Sequence, residues 1–372
     1  ELTAAIDGGF KPVADAYKIR GYTYYLKKNY DAAYADVKQG LQLEPDNLNM
    51  LRWYGEISFA KALYPEALAA FQKALVQTPN DPELYYSIAQ TQFRLGNTSG
   101  QATAAQEALK RNTQHRAEAN LLVGDAYQKQ RRYPEAVAAF ESALSSKPDI
   151  YEAYIRLADS YRAESKYVEA IDTCKRALRI FPNDGNIYTN ISWYYSMAGK
   201  NDEAVQAAQA AVQLLPNQGL PYTNLCRAYN DTKQIALAIN ACNEALKRNP
   251  DDGETFLYLG RAYDASDKKA EAAKYFDRAV TGLEQYTKAN PDYSDGYYIL
   301  GNAYYYDNQE EKAINAYTKS LQLSPFFTRA RYNLGVIYAF KKNKAAAMEQ
   351  YNSLLSIDKD LAELLKAQID KL

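Results

Sequence analysis

Residues 151–184 read YEAYIRLADSYRAESKYVEAIDTCKRALRIFPND. Tyr154, Leu157, Ala158 and Tyr161 fall at i, i+3, i+4 and i+7, one face of a helix with 3.6 residues per turn. After the polar break Glu164-Ser165-Lys166, a second apolar face runs through Tyr167, Ala170, Ile171, Cys174, Ala177 and Leu178. Phe181-Pro182-Asn183-Asp184 stops it, because proline cannot continue a helix. The segment reads as two helices, A and B, folded into a hairpin.

The same pattern recurs along the chain. Repeat starts fall at 14, 48, 82, 117, 151, 185, 219, 253, 294 and 328, with spacings of 34 residues except for one of 35 and one of 41. The eighth residue of every copy is small: Gly21, Gly55, Ala89, Gly124, Ala158, Ser192, Cys226, Gly260, Gly301 and Gly335. A small side chain there lets helices A and B approach closely. The twentieth is alanine in nine copies, with Gln101 the exception, the eleventh is tyrosine in eight, and the thirty-second is proline in seven. Each hairpin leaves an apolar flank that only the next can bury, so the hairpins must stack and no single one should fold alone.

These positions resemble a tandem tetratricopeptide repeat (TPR) array. The motif W/Y-x2-L-G-x2-Y is carried by Tyr297, Leu300, Gly301 and Tyr304, and its second half by Ala67, Phe71, Ala74 and Pro79. The resemblance implies an all-α fold, a right-handed α-solenoid of about ten helix-turn-helix repeats with helix A residues lining a concave groove. On this reading residues 1–13 are a lead-in, 14–360 the ten repeats and 361–372 a C-terminal capping helix with an apolar stripe of Leu361, Leu364, Leu365 and Ile369.

Two repeats depart from the pattern. The third lacks proline near 113, carries Gln101 at the alanine position and has the turn-rich stretch Gly96-Asn97-Thr98-Ser99-Gly100, so it reads as the loosest joint. The eighth has seven extra residues between Ala279 and Ala289, close to two helical turns, which predicts a helix B that protrudes or changes angle near Thr281 to Lys288.

Composition narrows the function. The chain has 372 residues, 44 Lys+Arg against 45 Asp+Glu, and so no long-range field for nucleic acid or anionic lipid. Mean hydropathy is −0.52 and there is no 18-residue apolar run, which argues against membrane insertion. The chain begins at Glu1 without a methionine or a signal sequence and reads as a mature form or an excised fragment, so no compartment is assigned.

No catalytic pattern emerges. The only Gly-Lys pair, Gly199-Lys200, lacks the glycines of a phosphate loop, and no H-E-x-x-H, G-x-S-x-G or G-x-G-x-x-G occurs. His115, the single histidine, falls in the link between the third and fourth repeats and reads as an exposed loop residue. Cys174, Cys226 and Cys242 occupy interior slots; an odd count without C-x-x-C reads as buried thiols. Helices A and B would face each other at Cys226 and Cys242, which leaves a bridge conceivable.

The groove wall is where function is sought. The candidates are Arg52, Trp53, Tyr86, Arg156, Asn190, Trp193, Asn224, Arg227, Arg261, Tyr298, Asn302 and Asn333, all on helix A. Aromatic side chains offer contact area at low entropic cost, and asparagine offers both a donor and an acceptor to a peptide backbone. Asn190, Asn224 and Asn333 share position six, in partial resemblance to the asparagine ladder of O-linked glycosyltransferase repeats. No window matches the carboxylate clamp of chaperone-binding members. The expectation is a non-catalytic scaffold that binds a peptide or partner helix, without cofactor or metal, nucleic acid or membrane insertion. The alternative is a regulatory or substrate-presenting arm of a larger enzyme, of the membrane-tethered bacterial kinase or glycosyltransferase type.

Overall fold

The computed structural model describes residues 2–8 and 13–371, and every regular element among them is an α-helix. The chain divides into two compact bodies, Glu1–Arg156 and Leu157–Leu372. The N-terminal body holds α1 (Leu2–Asp7), α2 (Val13–Leu26), α3 (Tyr30–Leu43), α4 (Leu48–Ala60), α5 (Tyr64–Gln77), α6 (Pro82–Arg94), α7 (Thr98–Lys110), α8 (Arg116–Lys129) and α9 (Tyr133–Ser146). The division falls within α10 (Tyr151–Ala163). The C-terminal body continues with α11 (Tyr167–Ile180), α12 (Gly185–Met197), α13 (Asn201–Leu214), α14 (Gly219–Asp231), α15 (Ile235–Arg248), α16 (Gly253–Ala265) and α17 (Lys269–Ala289). It ends with α18 (Ser294–Tyr306), α19 (Glu310–Leu323), α20 (Thr328–Phe340), α21 (Lys344–Leu355) and α22 (Lys359–Ile369). Within each body consecutive helices pair into hairpins and each hairpin packs on the next, the arrangement of an all-α TPR solenoid. No helix among the described residues is long and apolar enough to cross a membrane.

The periodic positions have matched roles. A Cβ added at Gly55, Gly124, Gly260 or Gly301 would lie 2.4–2.6 Å from a ring atom of Phe71, Phe140, Phe276 or Tyr317, the residue at position twenty-four of the same repeat. Where position eight carries a side chain, position twenty-four shrinks: Ala89 with Ala105, Ser192 with Ala208. Close packing of an interior demands this exchange of volume. At Cys226 and Cys242 the same pair of positions brings two sulfurs together as a disulfide, with Cα atoms 5.2 Å apart. This corrects the expectation of three thiols; Cys174 alone remains free, and it is buried.

A second regularity was invisible in the residue types. Position fifteen, in the turn between helices A and B, has φ between +57° and +73° in every repeat: Lys28, Ala62, Gly96, Arg131, Ser165, Gly199, Lys233, Asp267, Asn308 and Lys342. Only two of these are glycine, the residue that adopts this region without steric cost.

That regularity bears on the third repeat, which is not a loose joint. Gly96 sits at the turn where left-handed backbone is required, and α6 and α7 form a complete hairpin. Gln101 is buried and its Nε2 donates to Leu122 O (2.7 Å) and Asp125 Oδ2 (3.0 Å) on α8. In place of the missing proline, buried Thr113 donates to Glu83 Oε1 (3.1 Å) and accepts from His115 N (3.1 Å), tying the link down. His115 itself stacks on Tyr86 with ring centroids 4.4 Å apart.

The eighth repeat does lengthen helix B: α17 has 21 residues. The added turns do not protrude, because Val280, Leu283 and Thr287 are buried and Gly282 lies against Gly253, where a Cβ would sit 2.9 Å from the Gly253 Cα. At the C-terminus, Leu361, Leu365 and Ile369 of α22 are buried at i, i+4 and i+8, together with Ala362. Leu364 points away and is 55% exposed, so it does not belong to the stripe. Of the lead-in, α1 packs on α2, and Thr3 accepts from Arg20 Nη1 at 3.2 Å. Residues 9–12 of the lead-in lie outside the described residues.

Candidate functional site

In the C-terminal body the array curls until its first helices meet its last. The Arg162 guanidinium pairs with Asp295 of α18. Ser324 Oγ donates to Ala163 O (2.9 Å), Thr328 N donates to Ser165 Oγ (3.3 Å), and Arg329 Nε donates to Met197 O (3.1 Å). The inner faces of α12, α14, α16, α18 and α20 thereby look into a shared interior. Two cavities lie along it.

The first, of about 590 Å³, is lined by Asn190, Trp193 and Asn224, by Arg162, and by the carboxylates Asp159, Asp251, Asp252 and Glu254. Its far wall is made by Gly282, Leu283 and Tyr286 of the lengthened α17, followed by Tyr293. The extra turns of the eighth repeat thus build cavity wall. The second, of about 530 Å³, is lined by Arg227, Lys233, Arg261 and Arg329, by Tyr258, Tyr298 and Tyr306, and by Asn302 and Asn333. Both volumes fall in the range of ligand sites in general, roughly 300–1,000 Å³.

Arg227 of the second cavity reaches Trp193 of the first. Its guanidinium lies 5.9 Å from the Trp193 ring centroid and 5.8 Å from that of Tyr258; Arg261 then lies 5.7 Å from Tyr258 and 5.9 Å from Tyr306. Arginine and aromatic side chains therefore alternate along the interior, each cation held near the electron-rich face of a ring. Arg227 also donates from Nη2 to Asn224 Oδ1 (3.0 Å) and from Nη1 to Glu254 Oε1 (3.5 Å), while Arg261 pairs with Asp231 at 3.0 Å. Burial pushes the Glu254 carboxyl up to about 7, against the opposing pull of Arg227. Burial likewise raises the Asp295 carboxyl above its usual range, with Arg162 opposing, and raises the Tyr258 phenol.

Eight of the twelve sequence candidates converge here: Asn190, Trp193, Asn224, Arg227, Arg261, Tyr298, Asn302 and Asn333. They are not equally available. Asn224 and Arg227 are each 2% exposed, and the Asn224 amide donates to Thr189 O and Ser192 Oγ, both at 3.0 Å. Asn302 Oδ1 accepts from Tyr317 OH (2.6 Å) and Asn333 Nδ2 (2.9 Å). Asn190 makes no side-chain hydrogen bond among the described residues. The other four candidates lie in the N-terminal body with neighbours of their own. Arg52 pairs with Asp81, Trp53 stacks on Tyr22 at 4.5 Å, Tyr86 stacks on His115, and Arg156 donates to Glu152 at 2.6 Å.

Sequence reasoning passed over Glu254, Asp295 and Arg329. All three stand at position two of their repeats, one helical turn ahead of the position five, six and nine residues that were chosen. Extending the inner stripe by one turn would have found them. Among the described residues no cluster of His, Cys, Asp and Glu could hold a metal ion.

Comparison with known proteins places this architecture. Models of the tetratricopeptide repeat match residues 121–185 and 227–293, 173–206, and 14–47 and 328–361, and a TPR repeat model matches 55–96 and 301–343. Human tetratricopeptide repeat protein 13 is 31% identical over 90 residues, which are 24% of this chain and 10% of that protein. The chain therefore matches only a tenth of the length of that curated relative. Among solved structures, the MamA protein aligns with 47% of this chain and 95% of its own at 21% identity and a TM-score of 0.41. The human IFIT1 dimer with PPP-AAAA aligns with 87% of this chain and 80% of its own at 18% identity and a TM-score of 0.49. The APC/C hetero-tetramer Cut9-Hcn1 aligns with 99% and 98% at 15% identity and 0.39. With repeat models matching from residue 14 to residue 361, the chain belongs to the tetratricopeptide repeat family.

Proposed function

We propose that this TPR array is a non-catalytic protein-interaction scaffold whose C-terminal body holds a peptide segment in its interior. The family supports the general role of a protein-interaction scaffold. The observation that carries the finer reading is the convergence of Trp193, Tyr258, Tyr298 and Tyr306 with Arg162, Arg227, Arg261 and Arg329 on two neighbouring cavities, one of them walled by the extra turns of α17. Aromatic rings supply contact area with few torsions to freeze, and guanidinium groups supply directional donors to carbonyl and carboxylate oxygens. Asn190 adds an amide with both capacities unused.

A phage library of random dodecapeptides, panned on the intact chain, tests this reading. Selected peptides should bind the intact chain, and Trp193→Ala should weaken them by about tenfold or more while leaving the helical circular dichroism unchanged. Selected peptides that bind Trp193→Ala and Tyr298→Ala as tightly as the parent would place the binding surface elsewhere.

A further inference from the structure

The two cavities carry opposite charge. Around the first stand Asp159, Asp251 and Asp252, with Glu254 held by Arg227, against the single cation Arg162, which pairs with Asp295 and Asp159. Around the second stand Arg227, Lys233, Arg261 and Arg329 against the single carboxylate Asp231. Several of these charges lack a protein counterion. Among the described residues Lys233 and Arg329 pair with no carboxylate, and Asp251 and Asp252 pair with no cation. Arg227, 98% buried, keeps its Nε without a hydrogen-bond partner. Like charges gathered on low-dielectric walls repel one another and focus a field into the space between them, so each cavity favours a guest group of the opposite sign.

We infer that the segment held in this interior is charge-split, with a lysine or arginine side chain seated in the Asp251 and Asp252 cavity and an aspartate or glutamate side chain seated in the Arg329 and Lys233 cavity. The inference rests on the peptide-holding reading and specifies its guest. An apolar peptide would cover Lys233, Arg329, Asp251 and Asp252 without giving them a counterion. A uniformly acidic or uniformly basic peptide would satisfy one cavity and be repelled by the other. The charge asymmetry also fixes the guest's direction, because reversing the order of the two charged residues places each against its own sign.

Fluorescence anisotropy on the intact chain tests this with labelled dodecapeptides of Gly, Ala, Ser and Tyr. One near-terminal position carries Lys or Gln and the opposite one Glu or Gln, and a reversed Glu-to-Lys peptide is included. One order of the Lys/Glu pair should bind about tenfold tighter than the Lys/Gln, Gln/Glu and Gln/Gln peptides and than the opposite order. Raising salt from about 50 mM to about 500 mM should shrink that advantage. Lys233→Gln, at an exposed residue, should reduce the preference for Glu over Gln by about threefold without touching the preference for Lys. Asp251→Asn, also at an exposed residue, should do the converse. Equal binding of the charged and Gln/Gln peptides, or of both orders, would overturn the charge-split guest and leave the peptide-holding reading standing. Binding by none of the peptides would remove both.

Discussion

Arg162 and Asp295 stand 133 residues apart in the chain and meet as an ion pair, the arginine side chain 20% exposed and the aspartate 3%. Their contact fastens the end of α10 to the start of α18 and closes the interior of the C-terminal body. Removing one partner would leave a buried charge without compensation, so Arg162→Ala should cost about 3–5 kcal/mol in urea unfolding. Because Asp295 can take up a proton when the guanidinium is gone, the cost should be smaller at acidic pH than at pH 8. Arg162→Met combined with Asp295→Leu should recover most of the loss. Full stability in Arg162→Ala would show that the closure does not depend on this pair.

The Cys226–Cys242 bridge spans a separation of 16 residues within one hairpin, and a loop of that size is worth about 3 kcal/mol in the chain-entropy account. Alkylation of the denatured, unreduced protein should label one thiol per chain, Cys174, and reduction should lower unfolding stability by about that amount. Three labelled thiols would contradict the bridge.

The left-handed turn at position fifteen gives a mirrored pair of substitutions. Ala62→Gly, at φ +59°, should stabilise by about 1 kcal/mol, and Gly96→Ala, at φ +72°, should destabilise by about the same amount. A Cβ at Gly96 meets nothing within 4 Å, so the second effect is conformational alone. Changes of the opposite sign would show that the turns are not held in this conformation.

Glu254 makes stability depend on pH. Its carboxyl keeps its proton to about pH 7 in the folded chain and loses it near the ordinary value of 4.5 in the unfolded chain. Between those values the folded state holds a proton that the unfolded state has released, so the group's contribution falls as pH rises from about 4.5 to about 7 and stays low above that. Arg227 of α14, Asp252 and Tyr258 of its own helix region and Asp295 of α18 face it and set the value. Measured by urea unfolding, the parent should lose roughly 3 kcal/mol against Glu254→Gln between pH 4.5 and pH 8. A constant difference between the two proteins across that range would refute the assignment.

Much of this was legible because the repeats are local. Position eight, position twenty and the helix A stripe are each set by contacts within one hairpin or with the next, so their periodicity survives in the sequence and places Trp193, Arg227 and Asn302 on an inner wall. The Cys226–Cys242 slots could be seen to face each other, yet spacing does not decide whether two facing thiols bond. The turn conformation was hidden because Lys28, Arg131 and Asn308 adopt it alongside Gly96 and Gly199. The closure was hidden for a different reason: Arg162 with Asp295, and Arg329 with Met197, join residues more than 130 apart, and nothing in a 34-residue period encodes which distant repeats will touch. The third repeat misled because Gly96 and Thr113 look like loosened positions when read singly and are fixed ones in place.

On the proposed reading, the inner helices of the C-terminal body hold the guest. Hydrogen–deuterium exchange of the intact chain, with and without a saturating peptide taken from the phage selection, tests it most directly. Slowed exchange concentrated in α12, α14 and α16, with α13 and α15 and the whole N-terminal body unchanged, is the predicted result. Protection confined to the outer helices or to residues before Arg156 would contradict it.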